Sequence, residues 1–396
     1  MKIALVADTF PPLRTSGAVQ LRDLSREFAR QGHDLTVFLP DSDIDRPWHV
    51  QEWEDVRIVR LRAPTIKDLG YARRTLNEFL MPFAMLRNFR KSPLVTDRWD
   101  AVIWYSPSIF HAPFVRALKA TSRCKGYLII RDIFPEWALD LGLLRKGLIY
   151  SFFRRVAENQ YRQADIIGVQ TPGNIKYFDR WAGKSPDRVL EVLPNWLDKP
   201  VIVPSSIRID QTPLCGRKVL VYAGNMGVAQ GMDIILQLAD RMQKREDLGF
   251  LFVGRGGDTL RLRNMAQSLE LKNVLFHDEI EPDEIPELYT QCHVGIVALN
   301  HQHKSHNIPG KFLTYIRSGI PVLANVNPGN DLITLIAEEG VGEACETNDI
   351  DDLEAQCLKL LERIERETDI KAKCESAFER HFSVAHIVEA ITATLR

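Results

Sequence analysis

The residues best suited to chemistry lie in the second half of this chain, where glycines and cations recur at the ends of apolar runs. Val219 to Gly231 (VLVYAGNMGVAQG) is a β-rich run that stops at Gly224, passes Asn225 and reaches further glycines at Gly227 and Gly231, with Gln230 between them. Apolar residues then follow at helical spacing (Met232, Ile235, Leu236, Ala239). A strand that meets a helix through a glycine-rich turn leaves backbone N–H groups and a positive dipole end facing one crevice, a setting suited to a diphosphate. Phe252 to Gly257 (FVGRGG) repeats the device. There Gly254 would let a ligand approach the backbone and Arg255 could pair with phosphate oxygens, although a turn glycine beside a solvated arginine reads the same way. In His306 to Lys311 (HNIPGK), Pro309 and Gly310 open a helix and Lys311 adds a cation to its first turn. The helix dipole disfavours a cation there unless an anion binds.

The first half offers fewer such groups. Arg131 and Asp132 follow an apolar run at the carboxyl end of an expected parallel strand, where ligands bind; the competing reading has Asp132 capping a turn ahead of Pro135. His33, His49 and His293 read as structural. His301, His303 and His306 have no carboxylate or cysteine at ligand spacing, so no metal site is expected. Residues 71–91 (YARRTLNEFLMPFAMLRNFRK) mix large apolar side chains with cations, with Phe79, Leu80, Phe83, Leu86 and Phe89 on one side and Pro82 as a kink. Tyr150 to Arg155 repeats the mixture. Such segments either lie in a membrane interface or pack on their own sheet.

These residues need a scaffold, and the chain supplies one twice. Short apolar strands are expected at 2–7, 35–39, 57–61, 101–104, 127–130, 165–169 and 189–193, alternating with helices such as 17–30. Thr171-Pro172 reads as an N-cap followed by Pro at the first helical position. Residues 198–217 contain three prolines and no helical period, so they read as a linker. Strands then resume at 218–223, 250–253, 273–276, 294–298 and 321–324, and helices are expected at 351–364, 370–381 and 384–395. Repeated β-α units imply parallel sheets with helices on both faces. The expectation is an α/β protein of two Rossmann-like doubly wound lobes facing a central cleft. The domains would be 1–197, a linker at 198–217, 218–380, and a terminal helix at 381–396 packing back on the first.

Composition fits that plan. The 396 residues are 45% hydrophobic with a formal net charge of −1, enough for two cores. The charge is uneven, since residues 1–198 hold 30 Lys/Arg and 23 Asp/Glu against 21 and 29 in the remainder. A basic first half suits an anionic partner such as a membrane surface, although an ordinary solvated surface would look alike, and nothing beyond charge points to nucleic acid. Six scattered cysteines without a Cys-x-x-Cys pair read as reduced thiols. Met1-Lys2 runs straight into a strand, and no apolar run reaches the ~18 residues of a membrane span. The expected location is the cytoplasm, with any membrane contact peripheral.

Taken together, GNMGVAQG, FVGRGG, HNIPGKFLTYIRSGIPVLA and RDIFPEWALDLG resemble glycosyltransferase family 4, in particular its bacterial O-antigen and capsule branch that includes N-acetyl-L-fucosaminyl transferases. The resemblance implies a GT-B fold and a retaining, metal-independent transfer from a UDP-sugar, with no other cofactor. It implies as acceptor a lipid-diphosphate-linked saccharide at the inner face of the membrane. By position it places Gly17 in the loop over the donor phosphate, Arg131 and Asp132 at the reacting centre, and Asn195 ahead of the crossover. Asp278 to Ile280 would grip the base. Two departures stand out. The family's Glu-x7-Glu falls on His306 and Thr314, and its Arg and Lys on the first glycine loop fall on Asn225 and Gln230, leaving Arg255 and Lys311 to meet the diphosphate. Two alternatives stay open, a sugar-nucleotide 2-epimerase of the same architecture and a non-catalytic sugar-nucleotide-binding partner.

Overall fold

A computed structural model describes residues 1–13, 15–67, 69–140, 142–300 and 307–396. The chain divides into two compact units, Met1–Pro194 with Val384–Arg396, and Asn195–Ser383.

The first unit holds eight strands: β1 (Lys2–Val6), β2 (Asp34–Asp41), β3 (Trp48–Trp53), β4 (Val56–Arg62), β5 (Ala101–Tyr105), β6 (Lys125–Ile129), β7 (Ile166–Val169) and β8 (Val189–Val192). Their order in the sheet is β3-β4-β2-β1-β5-β6-β7-β8. All neighbours are parallel except β3, which pairs antiparallel with β4. Strand β3 (WHVQEW) was not expected from its sequence, because only Trp48, Val50 and Trp53 give it β character beside three charged or polar neighbours. The central strands are wholly buried runs, as parallel strands covered on both faces must be. The helix Ser16–Arg30 is capped by Thr15, whose hydroxyl accepts from Ala18 N. The expected Thr171 cap is different: Pro172–Tyr177 is a 3-10 turn, and the Thr171 hydroxyl is buried without a hydrogen bond among the described residues. The final helix, Val384–Leu395, belongs to this unit, with Gln31 Nε2 donating to Ala385 O at 3.2 Å and Thr394 Oγ1 to Glu191 at 2.9 Å.

The second unit holds β9 (Lys218–Ala223), β10 (Leu248–Val253), β11 (Val274–His277), β12 (Val294–Ala298), β13 (Val322–Asn325) and β14 (Gly342–Cys345), all parallel and ordered β11-β10-β9-β12-β13-β14. The chain runs outward from β9 in one direction and then returns to continue from β12 in the other. Connections diverge at that reversal and leave a crevice beyond the carboxyl ends of β9 and β12, the binding position of doubly wound sheets. Within the stretch expected as a linker or crossover, Ile207, Ile209 and Leu214 are buried in this unit's core.

Tyr315, on the helix Gly310–Arg317, is buried across this sheet, its hydroxyl donating to Val221 O at 3.1 Å and accepting from Ala223 N at 3.3 Å. Its ring lies flat over Gly295 of β12, and a Cβ on Gly295 would come within 2.3 Å of the ring. Gly295→Ala is therefore expected to destabilise the second unit by about 1–3 kcal/mol, the usual cost of overpacking. Hydrogen exchange should show faster opening of β9 and β12 in that variant, and unchanged protection would contradict the packing described.

Candidate functional site

Beyond the ends of β9, β10 and β11 the second unit encloses a cavity of about 580 Å³. Of the residues singled out by sequence, Gly224, Asn225, Gly254, Arg255, Ile280, Gly310, Lys311 and Thr314 line it. Three others do not. Gly227 and Gln230 lie outside its wall, and Asp278 turns its carboxylate to Arg263 at 2.9 Å. His306, with His301 and His303, lies outside the described residues. Among the described residues no three His, Cys, Asp or Glu side chains converge as metal ligands.

The glycine loops are built differently from the sequence expectation. Gly224 N donates to Val253 O (2.8 Å), Met226 N to Arg255 O (2.8 Å), Gly227 N to the Gln230 side chain (3.0 Å) and Gly254 N to His277 O (3.1 Å), so these amides are spent inside the protein. The two loops lean on each other. A Cβ on Gly254 would sit 2.1 Å from Gly224 O, and one on Gly256 would sit 2.0 Å from Met226 O. Glycine is required at 254 and 256 by the neighbouring backbone, with φ of +138° and +156°, and not by an incoming ligand. Asn225 and Gln230 bond to each other at 3.2 Å, which fixes the turn. Among the amides with no hydrogen bond among the described residues are those of Asn225, Arg255, Gly256, Gly257, Gly310 and Lys311.

Lys311 dominates the electrostatics. Its ammonium lies 4.9 Å from the centroid of the Tyr222 ring and fills the space over Gly224, where a Cβ would meet its Cε at 2.6 Å. It has no carboxylate partner among the described residues, and burial alone pushes its pKa below the usual 10.5. Arg255, 80% exposed at its side chain, pairs with Glu279 at 2.9 Å. An ion pair this open is worth little and separates readily. Glu279, Tyr289 and Arg317 also line the cavity; sequence reasoning missed Tyr289 and Arg317, and placed Glu279 only as part of the Asp278–Ile280 backbone, without its carboxylate. Glu279 directly follows Asp278 in the segment expected to grip the base, and that position was the available signal.

In the first unit a second polar group gathers beyond β1, β5 and β6. Arg131 is buried, donates to Leu193 O (2.8 Å) and Pro194 O (3.3 Å), and has its pKa lowered to about 10 by burial. The Asp132 carboxylate reaches the surface and accepts no hydrogen bond among the described residues, so the turn-capping reading fails; crowding by neighbouring atoms still raises its pKa against the pull of Arg131. Burial likewise raises Asp8 and Glu78, and Tyr105 to about 12. Tyr105 OH donates to Gln20 at 2.6 Å, and its ring lies 3.4 Å from where a Cβ on Gly17 would stand. Asp8, Glu78 and Tyr105 escaped the sequence reading because no motif spacing marks them.

Two doubly wound sheets, parallel but for the edge strand β3 and one carrying a cationic cavity at its topological switch point, define a GT-B glycosyltransferase. Residues 16–196 match the family described as Glycosyl transferase 4-like domain, and residues 207–376 match Glycosyl transferases group 1. The chain carries both domains and is a glycosyltransferase of the GT-B type. It is 26% identical over 382 residues to the putative colanic acid biosynthesis glycosyl transferase WcaI of Escherichia coli (strain K12), covering 88% of this chain and 86% of that protein. Among solved structures, sucrose-phosphate synthase from Thermosynechococcus elongatus superposes with a TM-score of 0.72 at 14% identity, over 99% of this chain and 98% of the other. Anabaena HepE in complex with UDP gives 0.67 at 16% identity, over 100% and 99%. These two likenesses are of fold.

A buried cation without a counterion costs stability. In the unfolded chain Lys311 holds its proton more tightly, so its contribution destabilises the fold while it is charged; this penalty is relieved as pH rises through the lowered pKa toward 10.5. Lys311→Met is therefore expected to stabilise the second unit at neutral pH and to abolish binding of inorganic pyrophosphate, read by chemical denaturation and by calorimetric titration. A loss of stability would show that the ammonium serves the fold. In the parent protein, pyrophosphate affinity should fall with rising pH earlier than an ordinary lysine would dictate. Glu279→Gln, which releases Arg255, is expected to tighten pyrophosphate binding about two- to five-fold. Unchanged or weaker binding would mean that Glu279 does not compete with the ligand.

Proposed function

We propose that this protein is a retaining glycosyltransferase that moves a sugar from a UDP donor to a lipid-linked saccharide in the assembly of a bacterial surface glycan. The observation that carries the proposal is Lys311, a half-buried ammonium facing a cavity with no counterion among the described residues. A donor diphosphate would supply that counterion. The UDP assignment is supported by the room beside Ile280, Pro282 and Pro286 for a base and by the fold shared with HepE, which was solved with UDP. The surface-glycan setting is supported by the similarity to WcaI. The sugar, N-acetyl-L-fucosamine or another N-acetyl amino sugar, rests on the sequence resemblance.

As the bond from the sugar anomeric carbon to the phosphate oxygen breaks, negative charge collects on the departing UDP. Lys311, Arg255 released from Glu279, and the open amides of Arg255 to Gly257 and of Gly310 and Lys311 stabilise that charge without reorganising, so no metal is required in the proposed reaction. The acceptor hydroxyl oxygen bonds to the anomeric carbon on the face that UDP leaves, and its proton passes to a phosphate oxygen of the leaving group. Configuration is thereby retained. In the first unit Arg131 is committed to two carbonyls and acts as a positioning residue, whereas Asp132 is free to accept a hydrogen bond from a sugar hydroxyl.

The test is transfer by the purified chain from a panel of UDP-sugars to a lipid-diphosphate-linked saccharide, with the product anomer read by NMR. Loss of one charge-stabilising donor typically costs on the order of 3 kcal/mol, so Lys311→Ala and Arg255→Ala should each lower kcat about 10²-fold. Asp132→Asn should lower kcat/KM for the acceptor and leave UDP binding intact. Normal turnover by Lys311→Ala would sink the assignment, and conversion of the donor without any acceptor would point to an epimerase instead.

A further inference from the structure

We infer that the first unit docks on an anionic lipid bilayer through a face made by the helices Tyr71–Phe89 and Leu148–Tyr161. The first of these carries two apolar stripes. Met81, Met85 and Phe89 are buried in the unit's core, so the expected single stripe running through Phe89 is split. Leu76, Phe79, Leu80 and Phe83, spaced i, i+3, i+4 and i+7, form the other stripe and face outward, Leu76 being 56% and Phe83 48% exposed. Pro82 does not interrupt the helix. The second helix presents Leu148, Ile149 and Phe152 in the same manner, with Leu148 92% exposed. The stripes form one surface, because the Phe79 ring centroid lies 5.8 Å from Phe83 and 6.2 Å from Phe152 across the helix pair. A contiguous exposed apolar patch of this kind marks an interaction surface.

The charges around it identify the partner. Arg73 and Arg87 stand about one turn beyond the two ends of the first stripe, Arg145 and Lys146 precede the second helix, and Arg155 lies three residues after Phe152. All five are exposed, and none has an ion-pair partner among the described residues. The acids on these two helices are occupied, Glu78 by Arg74 at 2.8 Å and Glu158 by Arg154 at 3.1 Å. Apolar residues rimmed by unpaired cations seat a helix at the depth of the headgroups of a leaflet rich in anionic lipid. A second copy of the chain would bring the same cations against themselves, so pairing through this face is disfavoured. No helix among the described residues is long and apolar enough to cross a membrane, so the contact is one of lying on the surface. This inference goes beyond the proposed reaction and stands without it.

The full chain should co-sediment at low salt with phosphatidylcholine vesicles containing about one-third phosphatidylglycerol, bind vesicles of phosphatidylcholine alone at least tenfold more weakly, and be released by high salt. Each basic side chain near such a surface contributes about fivefold, so removing the charges of Arg73, Arg87 and Arg155 together should weaken binding about a hundredfold. Leu80→Asp should also release the protein, and because all four sites are exposed the thermal unfolding curves should stay as in the parent. Equal binding to both kinds of vesicle, binding to neither, or a concentration-dependent dimer that Leu80→Asp dissolves would each overturn the inference. Vesicle binding by a chain that fails to bind UDP would support it while removing the donor reading.

Discussion

One ammonium group sets the terms for the second unit. Lys311 sits in the first turn of a helix, where the dipole opposes it, in surroundings that have taken away much of its water. Neither disadvantage is offset by a carboxylate within the described residues, and the Tyr222 ring face returns only part of the loss. Its neighbours follow from its position. Gly224 is glycine because a side chain there would occupy the space of the lysine, and its φ of +139° suits no other residue. Gly310 precedes the lysine and leaves its own N–H open toward the same cavity. The fold holds a charge in place before its partner arrives, and that preorganisation is what the proposed stabilisation of a leaving diphosphate requires.

Arg255 is the contrasting case. It belongs to the same cavity but is exposed and paired with Glu279, whereas Lys311 is half-buried and unpaired among the described residues. A half-buried cation suits a charge that develops at one point, and an exposed one suits a ligand that must enter and leave. The two glycine loops that carry these elements are welded by their own amides, with Gly224 N on Val253 O and Met226 N on Arg255 O. Their rigidity comes from satisfying each other, and the ligand is left the amides that remain.

This distinction also explains what the sequence made legible. Strand and helix positions could be read because parallel strands buried on both faces give unbroken apolar runs such as Val219 to Tyr222, and glycine-rich turns end them. Strand β3 was hidden because an antiparallel edge strand with mixed polarity has no such run. At the site, residues that act through backbone shape or a helix start, such as Gly254 and Lys311, leave a local pattern. The purpose of each glycine did not show, because Gly254 answers to Gly224 O and that contact joins segments thirty residues apart in sequence. Glu279, Asp8 and Glu78 have meaning only through what folding brings beside them, namely Arg255 for the first and each other for the second pair.

The helix Tyr71–Phe89 shows the same limit in another form. Its outward stripe and its inward stripe are both apolar at helical period, so the pattern alone fixes the helix but not which side meets the core. The core chose Met81, Met85 and Phe89, which reach the aromatic cluster of Phe38, Phe89 and Phe114 with ring centroids 5.6 Å apart. Leu76, Phe79, Leu80 and Phe83 were left over, on a helix that also carries Glu78 close enough to Asp8 to feel its charge. One rigid element thus joins an apolar, cation-rimmed surface to the polar groups beyond the end of β1. An acceptor with a lipid tail and a saccharide head has the same division of character.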